Sequence, residues 1–334
     1  MTATARRARP PARTATRARR PAAAGRSRRL VLPRDTDDVT LRFGGHELRL
    51  TNLRKLFWRD PEITKGDLLQ YYADVSRWLL PHIRDRPMVM KRYPDGSEGA
   101  FFFMKRTPSP RPDWLALCPV KHSSGNNIDY PLIQDLPSLL WVINLGCIDL
   151  NQWYAPCDDV DRPDAINFDL DPVEGTDFAR VRETALVVRD GLAELGMPSY
   201  AKTTGASGIH VYVPIVRGPT QKAVWTFAKE FAVALAARHP KLITIVYRVA
   251  DRPAGHVLLD FNQNAWGRTL ASVYSVRPRP RAPVSTPLRW SELARGVKIE
   301  DFRLDNVPRR LATVGDLWAP LLARRGRFRL PSLQ

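Results

Sequence analysis

Two acidic residues, Asp169 and Asp171, stand two positions apart inside an otherwise apolar run, AINFDLDPVE over residues 165–174. In a strand, alternate side chains share a face, so the two carboxylates lie side by side while Phe168 and Leu170 turn the other way. Like charges at that spacing repel, and a fold that keeps them there needs a cation or a shared proton between them. Whatever this chain folds into must supply a strand with one apolar face and one face opening on a charged site. Metal binding is the first chemistry to consider.

Other polar groups interrupt apolar segments further along. Asp260 sits inside HVLLDFNQN as the third embedded acid, and sheet packing that brings it beside the first two gives an oxygen-rich site for two divalent ions. In KTTGASGIH, Gly205 and Gly208 let backbone approach an anion, Thr204 and Ser207 offer hydroxyls, and His210 projects from the following strand. In YSVRPRPRAP, Arg277, Arg279 and Arg281 recur at every second residue and are expected to line one face. Taken singly, a glycine turn, a Pro-separated Arg run or a lone His is more often a plain structural feature. Together, phosphate-binding elements around a carboxylate cluster imply a nucleoside triphosphate substrate.

Charge narrows the partner. The chain carries a formal net charge of +18, and its first thirty residues hold ten Arg and no Lys, Asp or Glu. Lys and Arg that neutralise phosphates release counterions, so a polyanion is the expected partner. Residues 1–36 have almost nothing to bury and read as a disordered basic tail, suited to a nonspecific nucleic-acid-binding arm or to a transit peptide. No apolar run is long enough to span a membrane. Cys118, Cys147 and Cys157 are odd in number, widely spaced and without a CxxC pair, and read as reduced residues of a cytoplasmic protein.

The rest alternates helix and strand without an internal repeat. VTLRFGGHELRL reads as a hairpin around Gly44-Gly45. Thr64 with Asp67 forms a capping-box start for a helix expected to stop at Pro81. PMVMKRY and GAFFFMKR are short strands. Helices are expected over LPSLLWVINLG, over FARVRETALVVRDGLAELG with Val181, Ala185, Val188 and Leu192 on one face, and over QKAVWTFAKEFAVALAARH. GIHVYVPI and HVLLDFNQ complete the strands. The pattern predicts an α/β (α+β) fold of mixed sheets flanked by helices, not a doubly wound parallel sheet.

The order LTNLRKLFW, TKGDLLQYYADV, RPMVMKRYPDG, FFFMK, FDLDP, TTGASGIHVYVP, LLDFNQN and YSVRPRPRAPVSTPLRW closely resembles the polymerase domain of bacterial end-joining DNA ligases of the D type, within the archaeo-eukaryotic primase superfamily. The resemblance runs from about residue 50 to 290. It implies a primase-like catalytic domain over 37–300 with a C-terminal extension over 301–334. It implies that Asp169, Asp171 and Asp260 hold two ions, Mn²⁺ or Mg²⁺. A triphosphate site is implied from Lys91, Asn151, Thr204, Ser207, His210, Gln263, Arg277 and Arg279. Phe102 and Phe103 match positions that stack on template bases, and Lys55 and Lys65 match lysines that grip a downstream 5′-phosphate.

The chain also departs from the family pattern. Many relatives have Ser and Lys where this loop has Thr204 and Ser207, and His where it has Asn151. This combination resembles stand-alone members, and the length leaves no room for a ligase domain. The function expected is a monomeric, nucleoid-associated nucleotidyltransferase that fills short gaps or extends ends of broken DNA bearing a 5′-phosphate. It would use NTPs or dNTPs with a preference for ribonucleotides, alongside a separate ligase and the end-binding protein Ku. The alternatives are a primer-synthesising primase, a non-catalytic DNA-end-binding module, and a glycosyltransferase using the DxD pair alone; the last leaves Asp260 and the basic tail unexplained.

Overall fold

The computed structural model of the chain describes residues 29–121 and 125–331, so most of the basic tail lies outside the described residues. Hairpin β1 (Val39–Phe43) and β2 (His46–Leu50) turns at Gly44, whose φ of 59° suits a residue without a Cβ. The short pair β3 (Leu56–Trp58) and β4 (Ile63–Thr64) leads into α1 (Lys65–Ile83). Thr64 accepts from Asp67 N–H while the Asp67 carboxylate accepts from Thr64 N–H, the expected capping box. The helix passes Pro81 and ends at Ile83. Proline removes one N–H from the ladder, but Arg84 N–H still reaches Leu80 C=O at 3.0 Å, so the last turn survives. Residues 29–32 run along α1: Arg29 is ion-paired to Asp74 at 2.7 Å, and Gln70 accepts from Leu32 N–H at 2.8 Å.

Next come β5 (Met88–Arg92), β6 (Phe102–Met104), β7 (Leu117–Lys121), β8 (Asn127–Pro131), α2 (Leu136–Asn144) and β9 (Cys147–Gln152). The acid-bearing strand is β10 (Ala165–Pro172), followed by α3 (Phe178–Glu194), β11 (Tyr200–Thr203), β12 (Ile209–Pro214) and α4 (Gln221–Arg238). Then follow β13 (Ile243–Thr244), β14 (Val257–Asp260), β15 (Pro287–Leu288), α5 (Trp290–Arg295) and α6 (Val307–Val314). The main sheet has the order β13-β14-β10-β12-β11-β15 and is antiparallel except for β13 with β14. A smaller antiparallel sheet runs β6-β5-β9.

Helices α3 and α4 cover the face of the main sheet onto which β10 turns Phe168 and Leu170. Val181, Ala185, Val188 and Leu192 are fully buried, and Phe168 packs on Phe231 at 5.0 Å. The acids of β10 therefore face away from the helices. The two sheets are tied together where Ser272 N–H donates to Leu150 C=O at 2.7 Å and Leu150 N–H donates to Ser275 Oγ at 3.0 Å. Residues beyond 301 pack into the same core: Tyr274 O–H donates to Asp316 at 2.6 Å, and Trp318 stacks edge-on against Tyr212. No helix among the described residues is long and apolar enough to cross a membrane.

Two features escape sequence patterning. Cys118 and Cys157 form a disulfide with Cα atoms 5.9 Å apart, leaving Cys147 buried and free. This corrects the expectation of three reduced thiols, because β7 and the segment after β9 are brought together only by packing. The second is Asn264. Strand β14 leaves the sheet after Asp260, which strips β10 of its partner at Asn167. Asn264 fills the gap: its Oδ1 accepts from Asn167 N–H at 3.0 Å and its Nδ2 donates to Asn167 C=O at 2.7 Å. Both residues are buried. Asn264→Ala orphans two buried backbone groups, and chemical denaturation should show a loss of about 2–3 kcal/mol; an unchanged midpoint would show that water takes the amide's place.

Candidate active site

Strand pairing assembles the acids. Asp169 of β10 lies opposite His210 of β12 on one side and opposite Asp260 of β14 on the other, and Asp171 lies opposite Leu258. Asp169 and Asp260 are buried, whereas Asp171 at the strand end is partly open. Burial first, and then the charge of Asp260, pushes the Asp169 carboxyl up to about 7. The neighbouring charge of Asp169, with burial and Asp260 added, pushes Asp171 to about 7 as well. Asp260 is held by Asn262 N–H at 2.7 Å and Gln263 Nε2 at 2.8 Å.

These carboxylates suit divalent cations in charge and in chemistry. Asp169 Oδ1 is buried without a hydrogen-bond partner, and the mutual repulsion that raises two carboxyls is what a cation relieves. The set is not a closed cage: among the described residues, no group of three or more His, Cys, Asp or Glu is arranged to hold one ion. Two oxygens of Asp260 are already taken up by Asn262 and Gln263. The ligands that fit are Asp169 and Asp171, with Asp260 alongside.

Behind Asp169 lies a buried lysine that sequence reading missed. Lys202 of β11 is 1% exposed, and its Nζ meets His210 Nδ1 at 2.6 Å, Ser285 Oγ at 2.7 Å and Ala271 C=O at 2.9 Å. Ser285 Oγ itself donates to Thr203 C=O, so it accepts from the lysine. Three acceptors match the three donors of an ammonium group, although burial and the charge of Arg277 pull the Lys202 pKa well down. With Nδ1 accepting, the ring proton of His210 sits on Nε2, which stands 3.2 Å from Asp169 Oδ1 but out of line for a hydrogen bond. His210, expected to face a phosphate, is thus 2% exposed and lies between Lys202 and Asp169. Lys202 had no sequence signal beyond standing at alternate spacing to the glycine loop.

The glycine loop is built around a hydroxyl. Thr204 Oγ1 accepts from Ala206 N–H at 3.1 Å and Gly208 N–H at 3.0 Å, which leaves Ser207 exposed at the tip. A Cβ on Gly208 would lie 2.2 Å from Leu170 C=O, so the loop approaches β10 as only glycine allows. Arg277 Nη1 donates to Thr204 C=O at 2.8 Å, and its Nε stands 3.2 Å from Asp149, a buried acid on β9 absent from the sequence-derived set. Lys91 lies opposite Asp149 on β5, and burial lowers its pKa while Asp149 opposes the shift. Asn151 is buried two residues further along β9.

The Arg run does not form the expected one-sided strand. Residues 277–282 make a tight turn with positive φ at Arg281 and Ala282, so Arg277 points inward while Arg279 and Arg281 are exposed. Proline at alternate positions cannot donate to a ladder, which explains the turn. The Arg279 C=O accepts from Trp58 Nε1 at 2.9 Å, tying this turn to the N-terminal elements.

At the mouth, Phe101, Phe102 and Phe103 are 52%, 42% and 59% exposed. Lys91 Nζ sits 4.0 Å from the Phe101 ring centre, and Arg92 lies over Phe102. Lys55 and Lys65 do come together at the start of α1. Lys55 Nζ donates to Pro94 C=O at 2.8 Å and Asp95 at 2.9 Å, whereas Lys65 is buried with its Nζ on Thr51 C=O at 2.7 Å. Burial, and then the charge of Lys55, lowers Lys65 to about 8.

Residues 64–318 match the model of the LigD primase-polymerase domain. The multifunctional non-homologous end joining protein LigD of Mycolicibacterium smegmatis is 34% identical over 276 residues, which is 82% of this chain and 36% of that protein. The bifunctional non-homologous end joining protein LigD of Bacillus subtilis is 29% identical over 272 residues, 80% of this chain and 43% of that protein. The chain thus spans less than half the length of both relatives. The solved polymerase domain from Mycobacterium tuberculosis ligase D in complex with DNA is similar with a TM-score of 0.77 at 32% identity, covering 82% of this chain and 98% of that one. A chain that carries three strand-borne acids beside a phosphate-sized loop, and matches this family over most of its length, belongs to the LigD primase-polymerase domain family.

Proposed function

We propose that this protein is a template-dependent nucleotidyltransferase that fills short gaps or extends ends during repair of broken DNA, preferring ribonucleotides. The observation that carries this reading is the pairing of Asp169 with Asp260 across β10 and β14, next to the Thr204–Gly208 loop and Arg277. Asp169, Asp171 and Asp260 would hold two ions, Mn²⁺ or Mg²⁺. Such a pair, when bound, lowers the pKa of a primer 3′-hydroxyl and neutralises the departing pyrophosphate. The acids serve as ligands, not as proton carriers. Lys202 supports the arrangement by fixing the His210 tautomer against Asp169. Lys91, Arg277 and Arg279 supply positive charge for the triphosphate, and the turn held by Thr204 Oγ1 brings backbone close beside it, with Asn151, Ser207, His210 and Gln263 around them. Phe103, on the Lys91 side of β6, offers an exposed ring on which a template base would stack, and Phe102 offers a second on the opposite face. A separate ligase, with Ku at the break, would seal the product.

Gap filling is favoured over primer synthesis by one observation: Lys55 and Lys65 lie near enough at the start of α1 for the charge of one to lower the pKa of the other, a repulsion that a bound dianion would relieve. This site fits a downstream 5′-phosphate. Lys55→Ala combined with Lys65→Ala should weaken binding to 5′-phosphorylated gaps and spare 5′-hydroxyl gaps, by about 1–3 kcal/mol for a charge-assisted contact. Because the folded-state pKa of Lys65 is lowered to about 8, its charge is lost as pH rises through that value. The preference for phosphorylated ends should therefore shrink between about pH 7 and 9. Equal losses on both gap types in fluorescence anisotropy would mark an ordinary backbone contact.

Replacing Asp169 or Asp260 by Asn should cut single-nucleotide addition across a gap by roughly 10²-fold or more, with gapped-DNA affinity retained. Undiminished addition in either variant excludes them as ligands. The same substitution tests the electrostatics without turnover. A carboxyl whose folded pKa is raised takes up a proton more readily folded than unfolded, so it erodes stability as pH climbs from about 4 to 7. Above that window, metal-free Asp169→Asn should melt higher than wild type by about 2–4 °C for each kcal/mol relieved. Added Mn²⁺ should raise the wild-type midpoint more at alkaline than at acidic pH and have little effect on the variant. Parallel melting curves at all pH values would contradict the crowded-carboxylate assignment.

A further inference from the structure

Away from the acids, a groove of about 360 Å³ opens between the β7–β8 hairpin and the turn after Asn264. Its floor is Tyr130 and Trp153, packed edge-to-face at 5.7 Å. One wall is Trp266, 52% exposed and edge-on to Trp153 at 5.4 Å. Lys105, Lys121 and Arg268 stand around the rim, all exposed, and none forms an ion pair with an acid among the described residues. Packing on Trp153 uses one edge of the Trp266 ring and leaves the rest in water between unneutralised cations. Flat apolar surface framed by positive charge is what an unpaired nucleotide needs, with its base on the ring and its phosphates on the rim.

We propose that this groove is a binding subsite for an unpaired nucleotide of a DNA strand held by the protein, stacked on Trp266 and flanked by Lys105, Lys121 and Arg268. Three observations favour a strand over a free nucleotide. The cations come from three separate stretches of chain, after β6, at the end of β7 and in the turn after Asn264. No glycine loop like that at Thr204 lines the groove. Lys105 lies two residues past Phe103, which is exposed on the Lys91 side of β6, so the groove's rim and the ring nearest the candidate active site belong to one stretch of chain. The inference rests on the DNA-polymerase reading and extends the path of the single strand beyond it.

Fluorescence anisotropy with gapped DNA tests this, comparing a one-nucleotide gap with a gap of about eight nucleotides, within the site sizes typical of single-strand binders. Trp266→Ala should weaken binding to the long gap about five- to tenfold and to the short gap less than about twofold, with Trp266→Phe restoring most of the loss. Joint Lys105→Ala, Lys121→Ala and Arg268→Ala substitution should flatten the salt dependence on the long gap by a slope of about 2. One-nucleotide addition on the short gap should persist in every variant. Equal losses on both gaps, or none on either, overturn the subsite, as does saturable binding of free nucleotide monophosphate that Trp266→Ala abolishes without affecting the long gap. If wild type binds neither gap, the polymerase reading fails, and the inference with it.

Discussion

The site depends on the antiparallel pairing of β10 with β12 and β14, which sets Asp169 between His210 and Asp260. A sheet interior is a poor solvent for charge, and three carboxylates there oppose the burial that makes the sheet stable. The chain compensates on one side only. Lys202, satisfied by three acceptors, turns His210 toward Asp169, while the open side of the acids faces away from α3 and α4. The lysine behind and the crowded carboxylates in front give the cluster a direction.

Other buried polar residues serve this geometry. Asn264 replaces a length of missing strand with one side chain, so β14 can end at its acid and the chain can turn away without leaving Asn167 unsatisfied. Asp149 performs the corresponding task on the small sheet, drawing Arg277 inward and facing Lys91 across the ladder. In both places a side chain that contributes nothing to the apolar core fixes where a charged neighbour stands.

Much of this was legible in the sequence where the signal is local. The Thr64 and Asp67 spacing marked the start of α1, the Val181 to Leu192 stripe marked the buried face of α3, and acids inside apolar runs marked the strands of the site. Residues whose roles come from long-range contact were not legible. Lys202 looks like any strand lysine until Ser285 and Ala271 close over it. Asp149 and Asn264 are ordinary letters in the sequence. Cys118 and Cys157 meet only because β7 packs against the segment after β9, and the alternating arginines suggested a ladder that their intervening prolines prevent. His210 was recognised as part of the site, but its burial followed from β11, which the sequence pattern did not mark as a lysine-bearing neighbour.

The contact between Trp58 and the Arg279 carbonyl joins residues 221 positions apart, and Ser285 meets Lys202 across 83. Such distant pairs form late, because the entropy of closing a long loop is lost before the contact returns anything. On a ribosome, β10, β11 and β12 emerge well before Asp260 and Ser285, so the third acid and the hydroxyl that Lys202 uses both arrive only with the last quarter of the chain, and the charges of the site become crowded and buried in the same late step.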